Sequence, residues 1–179
     1  MTATRTVTAT ITYLEMTQPP KRRFPAPMLS GDAGPLALLR AEKPPLHFYR
    51  YLYGTIGKAH TWVERAYLND TELEALIHKP GIHIMVLYAS GIPAGYYELD
   101  ESYGDVVDLC YMGLMPDFVG RGIGKFLLSE ALHHAWSIEP ERVRVNTNTL
   151  DHPSALPLYQ RMGFSPYAQE ERSFEVREG

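Results

Sequence analysis

Residues 106–136, VVDLCYMGLMPDFVGRGIGKFLLSEALHHAW, constrain the fold more than any other stretch of the chain. Residues 106–114 are β-branched or apolar apart from Asp108 and read as a strand. Pro116 has no N–H to give to a ladder, so the strand stops near Met115. Helical spacing then takes over. Ile123, Leu127, Ala131 and Ala135 form one stripe, with Leu128, Leu132 and Trp136 beside it, while Lys125, Ser129, Glu130 and His133 fall opposite. Such a helix packs its apolar stripe against a sheet. Between the two elements, Gly120, Gly122 and Gly124 lack a Cβ, so a ligand can come close to the first amides of the helix, which have no intrahelical partner. A helix start of this kind can bind phosphate.

A glycine turn can also serve only to turn a strand into a helix, and its surroundings have to decide. A dinucleotide-binding finger needs GxGxxG, but Gly122 and Gly124 are followed by Lys125, Phe126 and Leu127, so the last glycine is missing. A Walker loop needs Ser or Thr after Gly-Lys, and Gly124-Lys125 is followed by Phe126. What the stretch does resemble is the acetyl-CoA-binding core of the GNAT family of N-acetyltransferases. There, a strand ending in V-x-P is followed by Q/R-x-x-G-x-G/A at the start of a long helix. Leu114-Met115-Pro116 stands for the first part and residues 119–124, VGRGIG, for the second, with Val119 where the family usually has Gln or Arg. Downstream, residues 152–164, HPSALPLYQRMGF, resemble the family's N-x-x-A-x-x-L-Y-x-x-x-G-F helix, with His152 in the asparagine slot. The two matches cover about the last eighty residues.

The resemblance implies an α/β (α+β) fold: a mixed, twisted β-sheet, splayed at its centre and flanked by helices. Acetyl-CoA would wedge between the core strand and a strand at residues 142–145. The chain has 179 residues, 45% of them hydrophobic, which suits one domain with a real core. We therefore expect a single N-acetyltransferase domain over 1–179, with 17–70 as the variable acceptor-side region and 80–179 as the acetyl-CoA-binding core. A net charge of −4 argues against nucleic acid as a partner. Cys110 is the sole cysteine, so no internal disulfide forms, and the histidines show no metal-ligand spacing. No metal is expected. The N-terminus has no apolar run of secretory or membrane-spanning type, so the expected location is the cytoplasm, with no membrane partner.

Elsewhere, residues 4–14 alternate strictly between threonine and Arg5, Val7, Ala9, Ile11 and Tyr13, which is a half-buried first strand. The proline-rich run from Thr17 onward, carrying Lys21, Arg22 and Arg23, reads as a solvated surface crossing. Residues 46–67 crowd aromatics around Gly54 and Gly57, and two short helices broken at those glycines are expected. Asn69 or Asp70 can cap a helix over 71–78. Residues 83–88 and 94–99 form a hairpin, 155–162 a helix ended by Gly163, and 173–176 a last strand.

The chemistry implied is direct attack of an amine on a thioester through a ternary complex. The family resemblance puts Tyr159 beside the cofactor sulfur as proton donor to the departing thiolate. It puts the backbone of Met112, Gly113 and Leu114 along the pantetheine arm, and Arg121, Gly122, Ile123, Gly124 and Lys125 at the pyrophosphate. His152 is a further cofactor contact. Asp108, an acid inside an apolar strand, is the first candidate for the base and Glu98 the second; either could instead bind a cationic acceptor. Arg50, Tyr53, Trp62 and Tyr97 are expected to line the acceptor pocket. The acceptor is expected to be a primary amine of a small molecule, although a peptide would fit the same chemistry. A homodimer sharing its last strands is compatible with this. The rival reading is an acyl-CoA-binding sensor or scaffold without turnover, to which Val119 and His152 lend weight.

Overall fold

A computed structural model describes residues 4–29 and 34–177. Seven strands make one sheet in the order β2-β3-β4-β5-β6-β1-β7. The strands are β1 (Thr4–Met16), β2 (Leu36–Arg40), β3 (Ile82–Ala89), β4 (Ile92–Asp100), β5 (Val106–Leu114), β6 (Arg142–Asn148) and β7 (Ser165–Arg177). Every pairing is antiparallel except β5 with β6. The helices are α1 (Leu46–Gly57), α2 (Asp70–Ile77), α3 (Ile123–Ser137) and α4 (Ala155–Arg161). The parallel β5-α3-β6 crossover is the unit anticipated from residues 106–136. It is parallel because a helix carries the chain back before the next strand begins.

The sheet's pleat divides the core. On β4, Tyr96 packs against Tyr49 of α1, whereas its neighbour Tyr97 points to the other face and meets His134 of α3. α1 and α3 therefore cover opposite faces. α3 buries Ile123, Leu127, Leu128, Ala131, Leu132 and Ala135 of the stripe read from the sequence; Trp136 is only half-buried, and Ser129, expected on the opposite face, is buried because its hydroxyl accepts from the Phe24 amide. α2 begins at a complete capping box, in which Asn69 accepts from the Glu72 amide and Glu72 accepts from the Asn69 amide.

Two expectations about elements are corrected. Residues 46–57 are one helix and not two: Gly54 faces open space, so a missing side chain there costs little, and Tyr49, Leu52, Tyr53 and Ile56 hold the turns on either side. The last strand begins at Ser165 and not at 173, because β1 offers it a partner along nearly its whole length. β1, the first strand expected over 4–14, lies between β6 and β7, far from β2.

Candidate active site

β5 and β6 pair only from Val106↔Arg142 to Leu109↔Val145. Beyond that point β5 has no strand partner on its β6 side among the described residues. The cause is local: the β4–β5 register shifts between Glu98 and Leu99, so Glu98 faces Tyr111, Leu99 faces Leu109, and Cys110 is the extra residue of a bulge. A bulge bends its strand and sharpens the local twist, which turns Cys110–Leu114 away from β6. The notch so opened belongs to a cavity of about 730 Å³. Its walls include Asp108, Cys110, Tyr111, Met112, Gly113 and Leu114 of β5, Val119, Gly120 and Gly124 of the glycine turn, and His152 and Tyr159 of the second motif.

At one end, Gly120 and Gly122 adopt positive φ of 79° and 77°, which lets the chain swing into α3. Among the described residues no side chain caps α3, so the first amides of this fifteen-residue helix are free of an intramolecular cap there. This cradle suits a pyrophosphate. The Ile123 side chain lies in the core, so only its amide is available there. Lys125 lies over the Phe24 ring at 3.9 Å, and Arg121 over Phe118 at 5.3 Å, while Pro27 approaches Gly122. The crossing segment thus packs beside the turn. Its Arg23 is paired with Glu130.

At the other end, Tyr159 is buried on α4, and its hydroxyl pKa is pushed up by burial and, secondarily, by Asp151. It is a protonated donor across the neutral range. His152 accepts from the Ser154 amide at 3.2 Å and faces the His60 ring. Asp151 accepts from Thr147 and the Asn148 amide, and from Trp62 Nε1 at 3.3 Å. Residues 58–66, between α1 and α2, therefore strap across the notch. Trp62 packs against Gly57 and Gly113, and its ring clusters with Tyr53 and Tyr111.

The two carboxylates singled out in the sequence are both engaged. Asp108 and Arg144 occupy paired positions on β5 and β6, and the guanidinium grips both carboxylate oxygens at 2.7 and 3.0 Å. Asp108 lines the cavity. Glu98 does not: it is 0% exposed behind it, bonded to Tyr49 Oη at 2.8 Å and Arg65 Nη1 at 2.6 Å. Two expected acceptor residues fall elsewhere. Arg50 sits off the buried stripe of α1 and binds Leu68 O and Asp70, and Tyr97 is turned by the pleat to the α3 face. Tyr53 and Trp62 do line the cavity.

Sequence reasoning missed Glu64, Arg65, Arg144 and the wall contributed by β1 and β7, which includes Ile11, Tyr13, Arg172 and Phe174. Only the strand order brings that wall to the cleft, and no local pattern announces it. Among the described residues no group of three or more His, Cys, Asp or Glu is arranged to hold a metal ion. Nor is any described helix long and apolar enough to cross a membrane.

A mixed sheet forced open at a bulge, with a glycine cradle at one end and a buried tyrosine at the other, defines the class of fold anticipated from the two motifs. The family model described as acetyltransferase (GNAT) domain matches residues 54–176, and the chain belongs to that family. Solved structures agree on the fold. A GCN5-related N-acetyltransferase from Sphaerobacter thermophilus superposes with a TM-score of 0.66 at 18% identity, over 96% of this chain and 53% of its own. A functionally unknown conserved protein from Staphylococcus epidermidis gives 0.59 at 12%, over 96% and 63%. An aminoglycoside acetyltransferase from an uncultured soil metagenomic sample gives 0.57 at 16%, over 71% and 86%. The chain thus spans less than two thirds of the length of the first two. No curated protein matches it at a significant level.

Proposed function

We propose that the protein transfers the acetyl group of acetyl-CoA to a primary amine of a small molecule, by direct attack in a ternary complex. The observation that carries this reading is the notch itself, which runs from the uncapped start of α3, past the unpaired edge of Cys110–Leu114, to the hydroxyl of Tyr159. Open α3 amides suit the pyrophosphate, and the free β5 edge suits the amide-bearing pantetheine arm. A backbone N–H on that edge would polarise the thioester carbonyl. As the amine nitrogen bonds to the carbonyl carbon and the C–S bond breaks, Tyr159 would give its proton to the sulfur. The amine's surplus proton leaves to solvent, directly or through a carboxylate of the cleft, and solvent returns a proton to the Tyr159 phenolate.

An acyl-enzyme on Cys110 is disfavoured, because burial pushes the thiol pKa far up and keeps it protonated. A free thiol and a reaction drawing on acetyl-CoA fit a reducing cytoplasm. The sensor reading gains one observation of its own, since both anticipated bases are tied to arginines.

Melting temperature with and without acetyl-CoA, CoA and desulfo-CoA, followed by thiol release against an amine panel, separates the two. Stabilisation by acetyl-CoA with thiol release for one amine class is the expected result. Stabilisation without turnover would leave the sensor, and no stabilisation would remove both.

A further inference from the structure

Three arginines line the cavity, and each has its own carboxylate. Arg65 is paired with Glu98 at 2.6 Å, Arg144 with Asp108 at 2.7 Å, and Arg172 with Glu170 at 2.5 Å. Arg65 is only 11% exposed and stacks 4.7 Å over the Tyr111 ring, so its charge is both buried and matched. Among the described residues these pairs engage every cavity-lining arginine; of the other cavity-lining carboxylates, Asp151 has no arginine and Glu64 has only a distant share of Arg172. Asp151 is already hydrogen-bonded at both oxygens. Glu64 is not. Its Oε2 accepts from Tyr111 Oη at 2.8 Å, while its Oε1 lies 3.8 Å from Arg172, beyond hydrogen-bond reach.

Glu64 therefore brings to the mouth of the cavity a negative charge that Arg172, already held by Glu170, offsets only from 3.8 Å, and one oxygen with room for a donor. Its side chain is 58% exposed and so can be reached from solvent. Tyr111 fixes its position: burial raises the phenol pKa far above its ordinary value, so that hydroxyl stays a donor and steers the carboxylate. Tyr111 directly follows the bulge at Cys110, which sets Glu64 beside the opening of the notch. The rings of Trp62 and Tyr111, 5.1 Å apart, provide an apolar and π-rich surface next to it.

We propose that Glu64 is the acceptor-recognition residue: it binds the ammonium form of the amine substrate and holds that nitrogen beside the notch, where the ammonium gives one proton to solvent before its lone pair attacks. This rests on the acetyltransferase reading above, and narrows it to acceptors that are cationic near neutral pH. Glu64→Gln keeps the shape and an acceptor for Tyr111, and removes only the charge.

The test compares wild type and E64Q with acetyl-CoA and two acceptor sets. One is a series of alkylamines, protonated at pH 7; the other is a series of arylamines, uncharged there. E64Q should raise KM for the alkylamines about tenfold, the loss of one charge-assisted contact at a half-exposed site, and leave arylamine kinetics and stabilisation by acetyl-CoA unchanged. Equal effects on both sets, or no effect on alkylamines, would overturn the proposal. If wild type binds acetyl-CoA but acetylates neither set, the acetyltransferase reading falls. The seat is then judged by alkylamine-induced melting shifts, and a shift that is absent, or the same in E64Q, overturns it.

Discussion

At the scale of single residues, the cavity separates side chains by what their surroundings leave them free to do. The Tyr159 hydroxyl has no hydrogen-bond partner among the described residues and faces the cavity, so its removal should cost activity and not structure. Tyr159→Phe should lower kcat about 100-fold, the usual worth of a positioned proton donor, with melting temperature and acetyl-CoA stabilisation unchanged. Cys110→Ala, a few residues from the same notch, should keep turnover. A loss in Cys110→Ala with normal folding would speak for an acyl-enzyme and against direct attack. Tyr159 was legible because it sits inside a motif, and motifs fix residue type at fixed spacing. Glu98 and Asp108 were legible as acids on apolar strands, but their arginine partners were not. Arg65 and Arg144 lie 33 and 36 residues away in sequence, and only the folded sheet brings them within reach.

At the scale of elements, periodicity carried the most information where one face is buried and the other is not. The β5-turn-α3 unit, the capping box of α2 and the hairpin of β3 and β4 follow from alternation, cap chemistry and turn glycines. The break expected at Gly54 did not form, since glycine permits a break without requiring one. Gly113 shows the opposite case, a glycine whose missing side chain is needed. A Cβ there would run into Ile56 Cγ2 and come within 3.4 Å of the Trp62 ring. Gly113→Ala should lower stability by about 1–3 kcal/mol, the cost of overpacking a filled site. It should also loosen the Trp62 strap. Urea unfolding read by tryptophan fluorescence measures the first. Amide hydrogen exchange over residues 58–66 measures the second, and unchanged exchange there would mean that Trp62 does not depend on Gly113.

At the scale of the whole molecule, two properties depend on the fold as a unit. The first is alkaline stability. Burial is the leading cause of a raised phenol pKa at Tyr49, Tyr53, Tyr96, Tyr97, Tyr111 and Tyr159, half of the chain's twelve tyrosines. The folded state holds these protons more tightly than the unfolded chain, whose tyrosines ionise near pH 10. Their contribution to stability is therefore complete below about pH 10 and is lost as the pH climbs towards the folded values. Phenolate absorbance should rise in two stages, the second coinciding with loss of far-UV dichroism. A single smooth rise before unfolding would show that these rings are not shielded.

The second property is the place of β1. Alternation in residues 4–14 announces a strand but cannot name its neighbours, because period two reports burial and not pairing. The matched family region begins at Gly54, inside α1, and leaves β1 out. Yet β1 pairs with β6 from Ile11 to Met16 and with β7 from Thr4 to Glu15, and it buries Ile11, Leu14 and Met16 in the core. Among the described residues β7 has no other strand beside it. A chain trimmed to 17–177 therefore keeps α1, β2 and both motifs and loses only the strand that joins the last two pieces of the sheet. Orphaned backbone groups on β6 and β7, with Val143 and Val145 uncovered, leave the parallel β5–β6 pair without support on its far side. We expect the trimmed chain to melt without a cooperative transition and to elute as aggregates, whereas the full chain melts cooperatively. A trimmed chain that folded and gained stability from acetyl-CoA would show that the notch does not depend on β1.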